Sequence, residues 1–309
     1  MTSRDRAPIL VTGGHRTGTT WIGRLLAADP NVAYISEPLN VHHRPGVLRS
    51  KVAHWYAYVC PENEAGYYSD FLELLRYRYH LWDEISALHS AHDVIRMARD
   101  VGIFTIGRLL RQRPLLKDPF AAFSLAWFAE RLKCRIVVAI RHPAAFVSSL
   151  KRLGWSFDFA DLLQQPLLMR DHLEPYRAAM ESCSRSDIIA QASLLWVMIY
   201  RTLDTTRQGM PGAQVVRHED LSRDPVGGFR TLYRALDLHF SSRVERQILQ
   251  SSSSDNPDQL SPDHVHSVRL DSRANLNSWK RRLSADEIAR VHQIAGEAAR
   301  LYYAEDEWN

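Results

Sequence analysis

The stretch ILVTGGHRTGTTWIGRLL, Ile9 to Leu26, narrows the possible folds more than any other. It opens as a short apolar run of β character and closes as an amphipathic helix beginning at Thr19. Between them lies a turn carrying Gly13 and Gly18. A strand that passes through a tight turn straight into a helix begins a crossover unit, which commits the chain to a parallel sheet with helices on its faces. The start of such a helix presents uncapped N–H groups and the positive end of a dipole, so the same stretch predicts an anion site.

Four further runs read as strands: Val32 to Ile35, Leu115 to Lys117, Arg135 to Ile140 and Gln214 to Arg217. Helical patterns separate them, over Thr19 to Ala28, Phe120 to Lys133, Pro143 to Leu153, Ser186 to Arg207, Pro225 to Leu236 and Ala285 to Tyr303. The expected fold is α/β, a P-loop-like parallel sheet of about five strands flanked by helices. At 309 residues and 45% apolar composition, the chain suits one domain spanning 1–309. Residues from about 42 to 113 interrupt the alternation with a run of aromatics that includes Trp55, Tyr56, Tyr77 and Trp82. This region reads as an inserted helical cap walling an acceptor pocket, or as a helical layer packing its own aromatics. Gln250 to Pro262 is polar and Ser/Pro-rich and reads as a mobile loop.

Acidic residues (35) nearly balance basic ones (39), which argues against a nucleic-acid surface and for a local basic pocket. Cys60, Cys134 and Cys183 are scattered, as expected for reduced thiols in a cytoplasmic protein. No segment reaches the roughly 20 apolar residues of a membrane span.

The glycine turn departs from a triphosphate loop in one respect. The pattern GxxxxGK[ST] places lysine where this chain has Thr19, and a cation appears instead two residues before Gly18, as Arg16. The strand RIVVAI ends in Arg141 where a magnesium-linked aspartate would be expected. Guanidinium in place of carboxylate repels a metal and attracts an anion, so no metal is predicted. The ligand fits a nucleotide whose reactive end needs no magnesium, and a phosphate–sulfate anhydride meets that condition.

Arg141 stands just past its strand, and Ser149 follows eight residues later, about two turns into a helix opened by Pro143. Together with the first motif, this pair resembles the sulfotransferases that use 3′-phosphoadenosine 5′-phosphosulfate (PAPS). Arg16, Thr17, Gly18, Thr19 and Thr20 match in order that family's 5′-phosphosulfate loop. Arg141 and Ser149 match its 3′-phosphate element at the same interval. VVRHEDLSRDP and SWKRRLSADEIARV are similar to later segments of these chains. The resemblance implies a sheet of kinase-like topology, PAPS as donor, adenosine 3′,5′-bisphosphate as product and a small-molecule acceptor. It is closest to the bacterial and carbohydrate-type members, which carry Glu near the second strand.

Sulfuryl transfer needs a base within reach of the acceptor and fixed donors facing the leaving oxygen. Glu37, in YISEPLN, is the expected base, with His42 and His43 as weaker candidates. Family members that use histidine place it after a lysine on the third strand. Here LLKDPF has Asp118, leaving Lys117 to steady the transferring group. Arg16 is expected on the phosphosulfate bridge, and Arg273, with Arg269, near the 3′-phosphate. The acceptor leans toward a hydroxyl, less readily an amine, on a sugar, glycolipid or natural product. The competing readings are a P-loop kinase or other ATP-dependent phosphotransferase, and a non-catalytic nucleotide-binding module.

Overall fold

The structure is a computed structural model, which describes residues 6–253, 256, 273 and 275–308. Arg269 and most of the Ser/Pro-rich segment lie outside the described residues. β1 (Ile9–Gly13), β2 (Val32–Ser36), β3 (Arg113–Lys117), β4 (Arg135–Ile140) and β5 (Gln214–Arg217) form a parallel sheet in the order β2-β3-β1-β4-β5. Register pairs Val11 with Lys117, Ser36 with Lys117, Gly13 with Ala139, and Ile140 with Arg217. The strand ends bearing Gly13, Ser36, Lys117 and Ile140 therefore lie along one edge, where ligands of open α/β sheets gather.

β1 turns directly into α1 (Thr19–Leu26). Between β2 and β3 come α2 (Tyr68–Leu75), α3 (Leu81–Ser86) and α4 (Ala91–Leu109), in the region expected to hold an insertion. α4 begins where Ser90 Oγ accepts the Asp93 amide at 3.2 Å, satisfying one of the orphan donors of its first turn. The segment after β3, expected as one helix over 120–133, is instead a 3₁₀ turn (Pro119–Ser124) followed by the short α5 (Leu125–Glu130). Tertiary bonds override helical propensity here. Asp118 accepts the Phe120 amide, while Ser124 Oγ donates to Ala57 O and accepts from the Val59 amide. After β4, α6 (Pro143–Leu153) starts on proline and stops at Gly154, whose φ of 63° suits a left-handed helix end. The helix Ala285–Ala299 carries the capping box expected of Ser284 and Glu287.

The period-2 alternation of β1 divides the core. Ile9 and Val11 join Ile22 and Leu25 of α1 on one face, with Leu115 and Val137. Leu10 joins Leu116 and Val138 on the other, against Phe146 and Leu150 of α6 and Trp196 and Tyr200 of the helix Ile188–Arg207. The chain thus leaves β1 and β4 toward opposite faces, opening a crevice between their ends. Tyr56, Phe71, Leu74, Tyr77 and Phe104 from the inserted region belong to this second core cluster, so the insertion packs as part of the domain. No helix among the described residues is long and apolar enough to cross a membrane.

Candidate active site

Both turn glycines are required by their surroundings. Gly13 has φ 139°, and a Cβ there would sit 2.2 Å from Ala139 O; Gly18 has φ 93°, and a Cβ there would meet His218 at 2.7 Å. Below the turn, Tyr200 OH accepts the Gly14 amide at 3.1 Å and donates to Ala139 O at 2.9 Å. Thr17 is fully buried and its hydroxyl donates to Gly14 O at 2.6 Å, so its side chain closes the loop. Gly18 provides no side-chain cap to α1, which leaves the helix start at Thr19 and Thr20 available to an anion.

The two arginine motifs meet directly. Arg16 Nε donates to Ser149 Oγ at 3.3 Å, and Arg141 Nη1 donates to the Arg16 carbonyl at 3.2 Å. Arg16 itself sits on left-handed backbone, φ 66°, with its guanidinium 5.7 Å from the Trp155 ring centroid. Burial, then the like charges of Arg141 and Arg152, lower the Arg16 pKa to about 10. Arg141 is buried, and its Nε and the neighbouring Ser148 Oγ have no hydrogen-bond partner. Burial also lowers the Arg141 pKa, opposed by Glu219, whose carboxylate accepts the His142 amide and the Tyr303 hydroxyl, each at 2.9 Å. Crowded guanidinium groups and buried donors lacking acceptors fit a phosphate or sulfate group.

Across the crevice, Glu37 follows β2 at φ 51° and its amide donates to Lys117 O at 2.7 Å. Its carboxylate pairs with the almost wholly buried Lys117 Nζ through one oxygen and accepts Asn40 Nδ2 at 2.7 Å through the other. Asp118, which stands where some sulfotransferases carry histidine, is tied to the main chain. It is 0% exposed, accepts the Leu39 and Phe120 amides at 2.6 and 3.0 Å, and is pushed up to about 7 by burial. Both ring nitrogens of His43 face carbonyl oxygens, of Asn40 and Leu48. His42 is exposed, edge-on to Trp55.

Asn40, Arg152 and Phe120 carry no recognisable mark in the sequence, whereas Trp55 and Tyr56 belong to the aromatic run read as the wall of an acceptor pocket. Asn40 orients Glu37 from three positions downstream. Arg152 lies one helical turn beyond Ser149 and adds to the cationic field. Trp55, Tyr56 and Phe120 form an aromatic wall, with Trp55 and Tyr56 centroids 4.6 and 5.4 Å from Phe120. Arg273 donates to Arg223 O at 3.2 Å. Arg223 lines a cavity of about 270 Å³ together with His142, Trp279 and Lys280.

Residues 8–242 match the model of the Sulfotransferase family. The chain belongs to the sulfotransferase family. This sulfotransferase is similar to the sulfotransferase domain from the curacin biosynthetic pathway, at 16% identity over 98% of this chain and 99% of that one, with a TM-score of 0.49. Sulfotransferase STF9 from Mycobacterium avium matches at 16% identity over 97% of this chain and 77% of that one, TM-score 0.47. The mouse sulfotransferase SULT7A1, solved in complex with PAP, matches at 10% identity over 97% and 86%, TM-score 0.46. No curated protein matches this sulfotransferase.

Proposed function

We propose that this sulfotransferase moves the sulfuryl group of PAPS to a hydroxyl, less readily an amine, of a small acceptor such as a sugar, glycolipid or natural product. The reading rests above all on the joining of Arg16, Ser149 and Arg141 into one cationic cradle from segments 133 and 125 residues apart. Arg16, Thr19 and Thr20 would hold the phosphosulfate, with Thr17 and Gly18 shaping the loop. Arg141 and Ser149 would hold the 3′-phosphate, and Arg273 is the further cation offered to it. PAPS supplies an activated sulfuryl group whose departure leaves charge on the 5′-phosphate oxygen.

The protein's own part follows from its groups. Glu37, held in orientation by Asn40 and Lys117, accepts the proton of the attacking hydroxyl. Lys117 and Arg16 face the developing negative charge as fixed donors, the largest kind of catalytic contribution a pre-organised site makes. The aromatic wall covers apolar faces of the acceptor and keeps water from the sulfuryl group. No metal ion is required, and the enzyme is proposed to work in the cytoplasm.

A thermal-shift series tests the donor. Adenosine 3′,5′-bisphosphate at about 100 times its dissociation constant should stabilise the fold by roughly 2.7 kcal/mol, with or without chelator. Stabilisation by ATP only when magnesium is present would instead identify a phosphotransferase.

A further inference from the structure

The loop between the cradle glycines carries one side chain that the functions above leave unused. His15 lies between Gly14, whose amide is held by Tyr200, and Arg16, which reaches Ser149. Its ring is enclosed by Phe146, Tyr56, Phe120 and Trp155, at centroid separations of 5.6, 5.9, 6.4 and 6.5 Å. Phe120 and Tyr56 belong to the aromatic wall of the acceptor side, so the imidazole stands where the cradle meets that wall.

The hydrogen bonds at His15 determine which nitrogen carries the proton. Tyr56 OH lies 3.2 Å from the His15 amide and 2.6 Å from Nδ1. The amide can only donate, so it occupies a lone pair of the phenol oxygen. Tyr56 is fully buried and has no other acceptor for its own proton among the described residues, so that proton goes to Nδ1. Nδ1 is an acceptor and Nε2 carries the hydrogen. No described residue accepts from Nε2, and that atom is not sealed off as a buried orphan. Tyr56 is held at φ 57°, an unusual conformation for a bulky residue, and its ring is locked against Phe120, Phe123 and Phe157.

We propose that His15 is a further catalytic residue, a neutral imidazole whose Nε2–H donates a hydrogen bond to a sulfuryl oxygen during transfer, with Tyr56 as the residue that fixes its tautomer. The proposal rests on the PAPS reading. The step balances as follows: the acceptor hydroxyl gives its proton to Glu37 and its oxygen bonds to sulfur. The bond from sulfur to the bridging oxygen breaks, its electron pair remaining on the 5′-phosphate. His15 loses no proton. The charged groups around it agree with this role. Burial and Arg16 lower its pKa and Glu37 raises it, leaving it at about 4, so it is neutral at working pH and serves as donor rather than base. A neutral donor adds no further cation beside Arg16, whose own ionisation is already opposed by its neighbours.

The test combines kinetics with two readouts independent of turnover. H15A should lose about 10²-fold in kcat, the scale of one transition-state donor, with bisphosphate affinity changed less than about threefold. H15Q, which keeps a donor near the Nε2 position, should recover part of the rate. Y56F should lower kcat and release the tautomer. Nitrogen-15 NMR of histidine-labelled protein should show His15 as the Nε2–H form, without titration between about pH 5.5 and 8. If H15A does not fold, H15Q and Y56F carry the kinetic test. An Nδ1–H tautomer, titration in that range, or unchanged kcat in a variant that still binds bisphosphate would overturn the role of His15 alone. Failure of the unmodified protein to bind bisphosphate would overturn the donor reading and this proposal together.

Discussion

Lys117, the last residue of β3, is 2% exposed in its side chain and spends its charge on Glu37, one residue past the end of β2. The two strands lie side by side in register at Ser36 and Lys117, so the proposed base and its counter-charge are fixed by main-chain pairing rather than by a flexible loop. The proposed role of Lys117 is that of a fixed donor to the transferring group. K117M should lower kcat by about 10²-fold, the scale of one transition-state donor, while bisphosphate still raises the melting temperature. A variant with unchanged kcat would remove Lys117 from the chemistry.

Glu37 itself gives a cleaner division between binding and chemistry. E37Q keeps the size and the contact with Asn40 but cannot take a proton. Turnover should fall about 10²- to 10⁴-fold while bisphosphate still raises the melting temperature. Retained turnover would send the search for a base elsewhere in the crevice.

Gly18 tests the cradle by geometry alone. At φ 93° with His218 Cδ2 2.7 Å from a built Cβ, G18A must strain the backbone and displace a buried ring. A destabilisation of about 1–3 kcal/mol in urea titration is expected, together with weakened bisphosphate binding. A variant as stable as its parent, with unchanged binding, would mean that the turn relaxes freely.

His142 predicts a pH dependence of stability. Burial lowers its pKa from 6.5 to about 3, and it stays neutral in the folded state while the unfolded chain takes up a proton below pH 6.5. The sign follows: its contribution is present above that pH and is lost as pH falls toward 3. H142Q removes the linkage. Measured by denaturant unfolding, the gap in stability between parent and variant should shift in the variant's favour by about 1.4 kcal/mol per pH unit between about pH 6 and 4. A gap independent of pH would show that His142 is protonated in the folded protein.

The sheet was legible because buried parallel strands are continuous apolar runs, and the five runs read from the sequence are the five strands, each within two residues of its expected ends. The segment after β3 misled because Pro119 to Ser124 is apolar enough for a helix. Its polar ends, Asp118 and Ser124, bond instead to Leu39, Ala57 and Val59, partners far away in the chain. At the site, order and spacing pointed to Arg16, Arg141 and Ser149 as ligand contacts. Spacing carries no information on side chains meeting one another, and so the Arg16–Ser149 bond was not foreseeable. Asn40 and Arg152 were hidden for the same reason, and Tyr56, named in the aromatic run, gave no sign of its bond to His15, since these contacts arise from neighbours brought in by the sheet.

Arg16, Glu37 and Tyr56 are three of the seven non-glycine residues with positive φ among those described, and all three stand around one crevice. Glycine at any of them would relax the main chain, so selection for heat resistance alone would drift toward replacing the very side chains proposed to hold the donor, take the proton and set the imidazole. Under the proposed roles, the thermal tolerance of this enzyme and its turnover are therefore opposed at these three positions. A consensus-style stabilisation of the scaffold should leave them untouched and work on the helices behind the sheet.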